Sequence, residues 1–341
     1  MASSRGKVDR ALKYDEATRP SKDKPRRTPM FSRRQMLHGT MLTGAGLLAN
    51  PAFELAGPNQ ALAQAAGLTY GAHPDVSPLV LSGRDWTSKY NLNLKYEWFP
   101  SAGPADKALV AGEIDFDAPG GGRAVSLQAA TKPGDFPMFM GWAYGDYAAT
   151  LVRPDSPYKA MADLKGKKIG TVVGSGSYMA WLIWLDSQGM SANDFQIVNM
   201  QGGEVAGALA SGIIDGATIW EPYPAMMEHR KIGKIIALYA QVVYDAVVIQ
   251  TRREVIEKKR DALVRFAAAA MDVQDWIKAN PTEAAKLVAK GMTERGAGET
   301  PWEAFDAMIR RLIFAPDLDP VMPSLNKIAD VSVKLGLIRN R

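Results

Sequence analysis

Residues 108–119 read ALVAGEIDFDAP, and residues 208–223 read ALASGIIDGATIWEPY. The shared pattern is A-L-x-x-G-x-I-D, one hundred positions apart. In each copy an Ala-Leu helix end runs to a glycine, Gly112 or Gly212, and an Ile-Asp pair then opens a short strand. A glycine just past a helix suits the left-handed cap. β-Branched and aromatic positions after it suit a buried strand. The two copies predict two similar α/β lobes facing a shared cleft.

A chain of 341 residues is long enough for two such lobes. Its formal charge of +5 is unevenly spread. Residues 1–63 hold 11 basic and 5 acidic side chains, which leaves 30 and 31 in the remainder. The basic character therefore belongs to the N-terminal segment, and no nucleic-acid partner is expected for the near-neutral body. Zero cysteines exclude disulfides, cysteine-ligated clusters and thiol nucleophiles. His38, His73 and His229 are too few and too scattered for a zinc site or a catalytic triad. Neither a metal nor a cofactor is expected.

Residues 1–31 are basic, rich in Pro and Ser, and lack an apolar period, so disorder is expected there. Ser32-Arg33-Arg34-Gln35-Met36-Leu37 follows, then the apolar stretch 39–49 and an Ala61-Leu62-Ala63 cleavage site. In that order these resemble a twin-arginine export signal, with Met36 where Phe is commoner and His38 where Lys is frequent. The apolar stretch is too short to span a hydrocarbon core of about 30 Å. Residues 1–63 are accordingly read as an export signal and basic N-region, cleaved near Ala63.

The body alternates short apolar strands with helical stretches, which argues for mostly parallel sheets flanked by helices. Ser77-Pro78 reads as the start of a helix running to about Tyr90. Segments 147–152 and 241–250 read as extended crossings between the lobes. From Arg252 onward the pattern is helical, so the C-terminal region is expected to pack as a cap. Asp115 and Asp215 are read as structural features of the two strand starts rather than as an acid–base pair.

Ligands in open α/β sheets collect beyond the carboxyl ends of strands, where helix N-termini face the crevice. The loops 73–77, 101–103, 120–122, 174–177 and 220–223 meet that description. Gly174-Ser175-Gly176-Ser177 is the sharpest of them: its glycines admit a ligand to the backbone, and Ser175 and Ser177 are adjustable donors. An ordinary N-cap and turn gives the same pattern. Ser77 and Ser101 open helices in the same manner, and Gly121 and Gly122 start another. Trp220 offers a flat aromatic face. Glu221 either accepts from a cationic or N–H-bearing group or simply suits a helix dipole. Tyr147 and Tyr244 lie at the crossings, where packing and ligand contact are both open to them. His73 ends a strand, Arg123 stands either as an anion clamp or on a helix surface, and no catalytic motif occurs.

The two A-L-x-x-G-x-I-D copies resemble an ABC-transporter substrate-binding protein. So do Asp163-Leu164-Lys165-Gly166-Lys167-Lys168-Ile169, Leu151-Val152-Arg153-Pro154-Asp155-Ser156-Pro157 and Trp220-Glu221-Pro222-Tyr223. The resemblance is to the nitrate, aliphatic sulfonate, taurine and thiamine-precursor binders. It implies a type II periplasmic binding fold, with lobe one at 64–149 plus 246–341 and lobe two at 150–245. It further implies a periplasmic monomer that closes on a small organic solute, with an ABC permease and cytoplasmic ATPase as partners and the twin-arginine translocase during export. A sensing partner for a membrane receptor would need the same capture. A thiamine-pyrimidine synthase on this fold is associated with a cysteine-rich motif that this chain lacks.

Overall fold

The computed structural model describes residues 66–339. They fall within one compact unit, 52–341. The export-signal elements expected at 32–63 lie outside the described residues.

Two mixed sheets are built on the same plan. In the first, β1 (Ala66–Ala72) runs parallel to β2 (Leu92–Trp98) and β3 (Phe116–Asp117). A late strand, β10 (Val247–Thr251), lies antiparallel between β3 and β4 (Met138–Tyr144). In the second, β6 (Lys168–Thr171) runs parallel to β7 (Gln196–Asn199) and β8 (Gly216–Trp220). There β5 (Ala148–Val152) lies antiparallel between β8 and β9 (Lys234–Leu238). The orders β2-β1-β3-β10-β4 and β7-β6-β8-β5-β9 therefore match. In each sheet one strand of opposite direction is supplied by a chain segment that crosses from the other. A two-residue strand, β11 (Ile313–Phe314), extends the first sheet at β4, within a segment expected to be wholly helical.

The duplicated motif explains the local chemistry of both sheets. Gly112 and Gly212 adopt φ of 81° and 76°, the left-handed caps their positions require. Asp115 donates its N–H to Thr69 O at 2.9 Å and accepts Thr69 N–H at Oδ2 at 2.8 Å. Asp215 donates to Lys168 O at 2.8 Å and accepts Lys168 N–H at 3.0 Å. Each aspartate thus completes a ladder edge with both backbone and carboxylate. Ile114 and Ile214 lie against Gly71 and Gly170, where a Cβ would collide with their Cδ1 atoms.

Six helices surround these strands before the C-terminal region: α1 (Val76–Ser82), α2 (Ala102–Ala111), α3 (Gly121–Ala130), α4 (Gly176–Ser187), α5 (Gly202–Ala210) and α6 (Tyr223–His229). The expected helix from Ser77 to Tyr90 is shorter. Asp75, not Ser77, is its N-cap, accepting Ser77 N–H at 3.1 Å, and Gly83 ends it. The side chain of Asp75 is an acceptor two positions earlier than Ser77, so the helix starts before the Ser-Pro pair.

Four longer elements follow: α7 (Arg253–Ala279), α8 (Pro281–Glu294), α9 (Glu303–Arg311) and α10 (Met322–Lys334). α7 brings Phe266 onto Phe116 and Tyr70 of the first sheet, with ring centroids 4.3 and 6.5 Å away. Such aromatic pairs add about 0.5–1.5 kcal/mol beyond the area they bury. α8 packs on α1, α9 on α6, and α10 on both α3 and α4, so the C-terminal helices touch elements beside both sheets. Among the described residues no helix is long and apolar enough to cross a membrane.

The two motif aspartates differ in burial. Asp115 is buried and also takes Lys259 Nζ at 2.8 Å, whereas Asp215 is half-buried. Asp115→Ala is expected to lower unfolding stability by about 1–3 kcal/mol, and Asp215→Ala by less. Urea titrations of the two variants check the order.

Candidate functional site

A cavity of about 270 Å³ lies where the two sheets' helix-bearing ends meet. Its lining preserves the hundred-residue echo. Positions 73, 75, 101, 120 and 147 line it, and so do positions 173, 175, 201, 220 and 247. The pairing follows from topology. Asp75 and Ser175 are the N-caps of α1 and α4, and Ser101 and Gln201 precede α2 and α5. Sheets built on one plan present the same helix starts to the space between them.

The paired positions are chemically unlike. Ser175 accepts Tyr178 N–H at 3.1 Å and hydrogen-bonds Ser177 Oγ at 3.0 Å, a neutral cap. Asp75 places a carboxylate in the equivalent cap and also accepts the Tyr147 hydroxyl at 2.6 Å. Burial pushes its pKa up to about 7, against hydrogen bonds from Tyr147 and the helix backbone. Asp245, from the return crossing, is also raised to about 7 by burial, with the Asp75 charge adding to the effect. His73 is lowered by burial to about 4, so it is neutral at pH 7, and its 3.9 Å approach to Asp75 is not an ion pair there.

Opposite charge enters through Arg123 and Lys107. Arg123 gives its Nε to Asp106, whose other oxygen accepts Gln250 Nε2 at 3.0 Å. Asp117 lies beside them, pushed well above the usual carboxylate range by burial and the Asp106 charge. With Nε held, the outer guanidinium lies over Gly103 and Gly174, one from each half of the cavity. That arrangement leaves a planar fork for an anionic oxygen pair.

Of the residues expected from sequence, His73, Ser101, Tyr147, Ser175, Ser177 and Trp220 line the cavity. Trp220 donates its indole N–H to Pro74 O at 3.0 Å, which ties the second sheet's last-turn aromatic to the first sheet's loop. Five others do not line it. Ser77 turns beneath α1 to the Tyr70 hydroxyl, 2.9 Å away. Gly121 and Gly122 face Leu325 and Met179, where a Cβ would collide, so their smallness serves helix packing. Tyr244 packs its ring on Tyr144, 5.3 Å between centroids, and gives its N–H to Ser324 Oγ. Glu221 is buried against Arg311 and accepts Ala225 N–H at 3.1 Å. Burial outweighs that arginine and raises Glu221 to about 7.

Lys107 and Asp245 lie outside the expected loops, whereas Asp75 and Gly120 lie within them without having been singled out, and Gly176 belongs to the Gly-Ser-Gly-Ser turn expected to admit a ligand to the backbone. Asp75 had a signal: it stands one hundred positions before Ser175. Asp245 had none, because only the crossing strand brings it to the cavity. Gly120 and Gly176 are where the backbones of the two halves come closest, since a Cβ on Gly176 would lie 2.8 Å from Gly120 Cα. Among the described residues no group of three or more His, Cys, Asp or Glu side chains is placed to hold a metal ion.

A family model described as the NMT1-like family matches residues 64–293. The chain belongs to the NMT1-like family. Among relatives of this family member, the taurine-binding periplasmic protein of Escherichia coli (strain K12) is 26% identical over 227 residues, 64% of this chain and 69% of that protein. A Bacillus subtilis (strain 168) protein provisionally named an aliphatic sulfonates-binding protein is 29% identical, covering 64% of this chain and 67% of that one. A Brucella abortus (strain 2308) protein, provisionally named a binding protein, is 28% identical over 62% of this chain; the match spans 66% of that relative, just under two thirds.

The fold is shared with the alkanesulfonate-binding protein SsuA from Xanthomonas axonopodis pv. citri bound to MOPS. The TM-score is 0.70 at 20% identity, covering 81% of this chain and 95% of that one. The desulfurization enzyme DSZB has the same fold, with a TM-score of 0.61 at 16% identity, covering 80% and 93%. The family and the periplasmic-binding fold expected from the residues are thereby borne out.

Asp245 makes a pH dependence measurable. Its folded pKa of about 7 exceeds the ordinary 3.8, so between those values the native state holds a proton that the unfolded chain releases. Its contribution to stability is present below about pH 4 and is lost as pH rises through 7. Asp245→Asn removes the titration. Its melting temperature relative to the parent chain is expected to rise progressively from pH 5 to pH 8, as thermal melts across that range would show.

Proposed function

We propose that this protein is the solute-binding component of an ABC importer, and that it captures a small organic solute by closing two lobes around the cavity. The lobes are 64–149 plus 246–341 and 150–245, joined by the crossings near 147 and 246. The observation that carries this reading is the cavity lining, in which positions 73, 75, 101 and 120 of one half meet their counterparts 173, 175, 201 and 220 of the other, with 147 and 247 at the crossings. A site divided in that way is completed only when both halves approach, which makes closure the means of retaining a ligand. The relatives named for taurine and aliphatic sulfonates support the class.

The solute carries a sulfonate, an amine or a heteroaromatic ring. Arg123, Ser175 and Ser177 suit anionic oxygens, and Trp220 supplies a face for an apolar or aromatic body. The mature protein works as a periplasmic monomer, delivered by the twin-arginine translocase and emptied by a permease with its cytoplasmic ATPase.

A thermal-shift panel of alkanesulfonates, aminosulfonates, pyrimidines and aromatic acids tests capture. A solute at 100 times its Kd stabilises the native state by about 2.7 kcal/mol, enough for a clear rise in melting temperature. Arg123→Ala is expected to weaken anionic solutes about tenfold or more, which calorimetric titration reads directly. Gly176→Ala places a Cβ against Asp245 and Gly120 Cα. It is expected to hold the lobes apart, so small-angle scattering should show a ligand-induced compaction in the parent chain and little in the variant.

A further inference from the structure

The acidic side of the cavity carries more acceptor capacity than the protein itself satisfies. Asp245 is only 4% exposed, and its Oδ1 has no hydrogen-bond partner. That oxygen sits against Gly120 and Gly176, where a Cβ on either would collide with it. The glycines therefore hold the carboxylate close to the meeting point of the two halves. Asp75 is 3% exposed and commits Oδ1 to the Tyr147 hydroxyl and the Ser77 N–H. The Val76 N–H also donates to this carboxylate, and its Oδ2 lies 3.9 Å from His73 Nε2. His73 is neutral at pH 7 and leaves its own Nδ1 buried and unpartnered, so it supplies no balancing charge.

Neither of the cavity's cations, Arg123 and Lys107, forms an ion pair with these aspartates. Arg123 is engaged by Asp106, and its outer nitrogens face Gly103 and Gly174. An unpartnered carboxylate oxygen in a dry site costs stability unless something entering the site donates to it. Asp245 Oδ1 lacks a donor and neither aspartate is paired with a Lys or Arg among the described residues, whereas a positively charged nitrogen provides several N–H groups together with the compensating charge. The Trp220 ring, held by its bond to Pro74 O, lines the same cavity and adds a face that attracts cations.

Building on the capture reading above, we propose that Asp75 and Asp245 form a subsite for a cationic nitrogen group of the solute, an ammonium, amidinium or guanidinium. Selection then works by charge. The Arg123 fork and the neutral Ser175 cap accept an anion, and the side of the cavity lined by Asp75 and Asp245, where a carboxylate stands at the cap position that Ser175 fills in the other copy, rejects a second one. Solutes with a nitrogen cation are retained, and equally sized purely anionic solutes are not.

Calorimetric titration of the full chain with 3-aminopropane-1-sulfonate, 3-hydroxypropane-1-sulfonate and propane-1-sulfonate tests this. Thermal shifts with n-propylammonium and benzamidinium accompany it. The aminosulfonate is expected to bind at least about tenfold more tightly than its hydroxyl analogue. Asp245→Asn should bring the two near parity, mainly by weakening the aminosulfonate. Asp75→Asn should do the same while keeping an acceptor for the Ser77 N–H, and melting curves confirm that both variants fold. Equal or tighter binding of the hydroxyl or alkyl sulfonate overturns the subsite, as does a preference that survives Asp245→Asn; in both cases solute capture itself stands. If no solute of any charge class in either panel stabilises the chain, the capture reading falls and the subsite falls with it.

Discussion

The exchange of one strand between the sheets governs the rest of the structure. β5 leaves the first half to lie between β8 and β9, and β10 returns from the second half to lie between β3 and β4. Each strand is fully buried and hydrogen-bonded on both sides, so neither sheet is complete without a segment that reaches it through the other. The exchange also fixes how the halves face. Three of the parallel-running strands of each sheet deliver helix N-termini to one end, and the crossings that follow the fourth hold those ends together around the cavity.

That arrangement explains why the site is polar although the core is not. Helix starts leave backbone N–H groups to be satisfied, and the chain meets them differently: Asp75 caps α1, Ser175 caps α4, and Gly120 before α3 offers no side chain. A duplicated fold thus yields a site of two chemically distinct ends. Burial then raises Asp75 and Asp245 to about 7, because few donors reach them. Arg123 is treated differently. Asp106 orients it and Asp117 lies behind, so its charge is fixed in place rather than free to swing.

Much of the scaffold was legible because it depends on short-range rules. The left-handed glycines, the Ile-Asp strand starts and the alternation of strands with helices all follow from spacing. Asp115 and Asp215 act as their repeat positions suggested, as ladder-edge acceptors. The first helix starts earlier than Ser77-Pro78 suggests, because Asp75 satisfies the same capping rule and competes with it. Within the site, Trp220 and the Gly-Ser-Gly-Ser turn were visible as loop chemistry. Glu221 looked equally suitable, yet the C-terminal helix α9 brings Arg311 onto it and withdraws it into the packing.

The sequence by itself determined two repeated α/β halves, the glycine caps that end their helices, and membership of the NMT1-like family. These rest on spacing and on residue types that act within a few positions of themselves. Only the tertiary structure decided which polar groups share the cavity. Asp245 arrives there on a return crossing from beyond the second half, and Gly120 and Gly176, distant in sequence, become its nearest walls. Such neighbours are set by strand exchange and close packing between segments far apart in the chain, and no local periodicity carries that information.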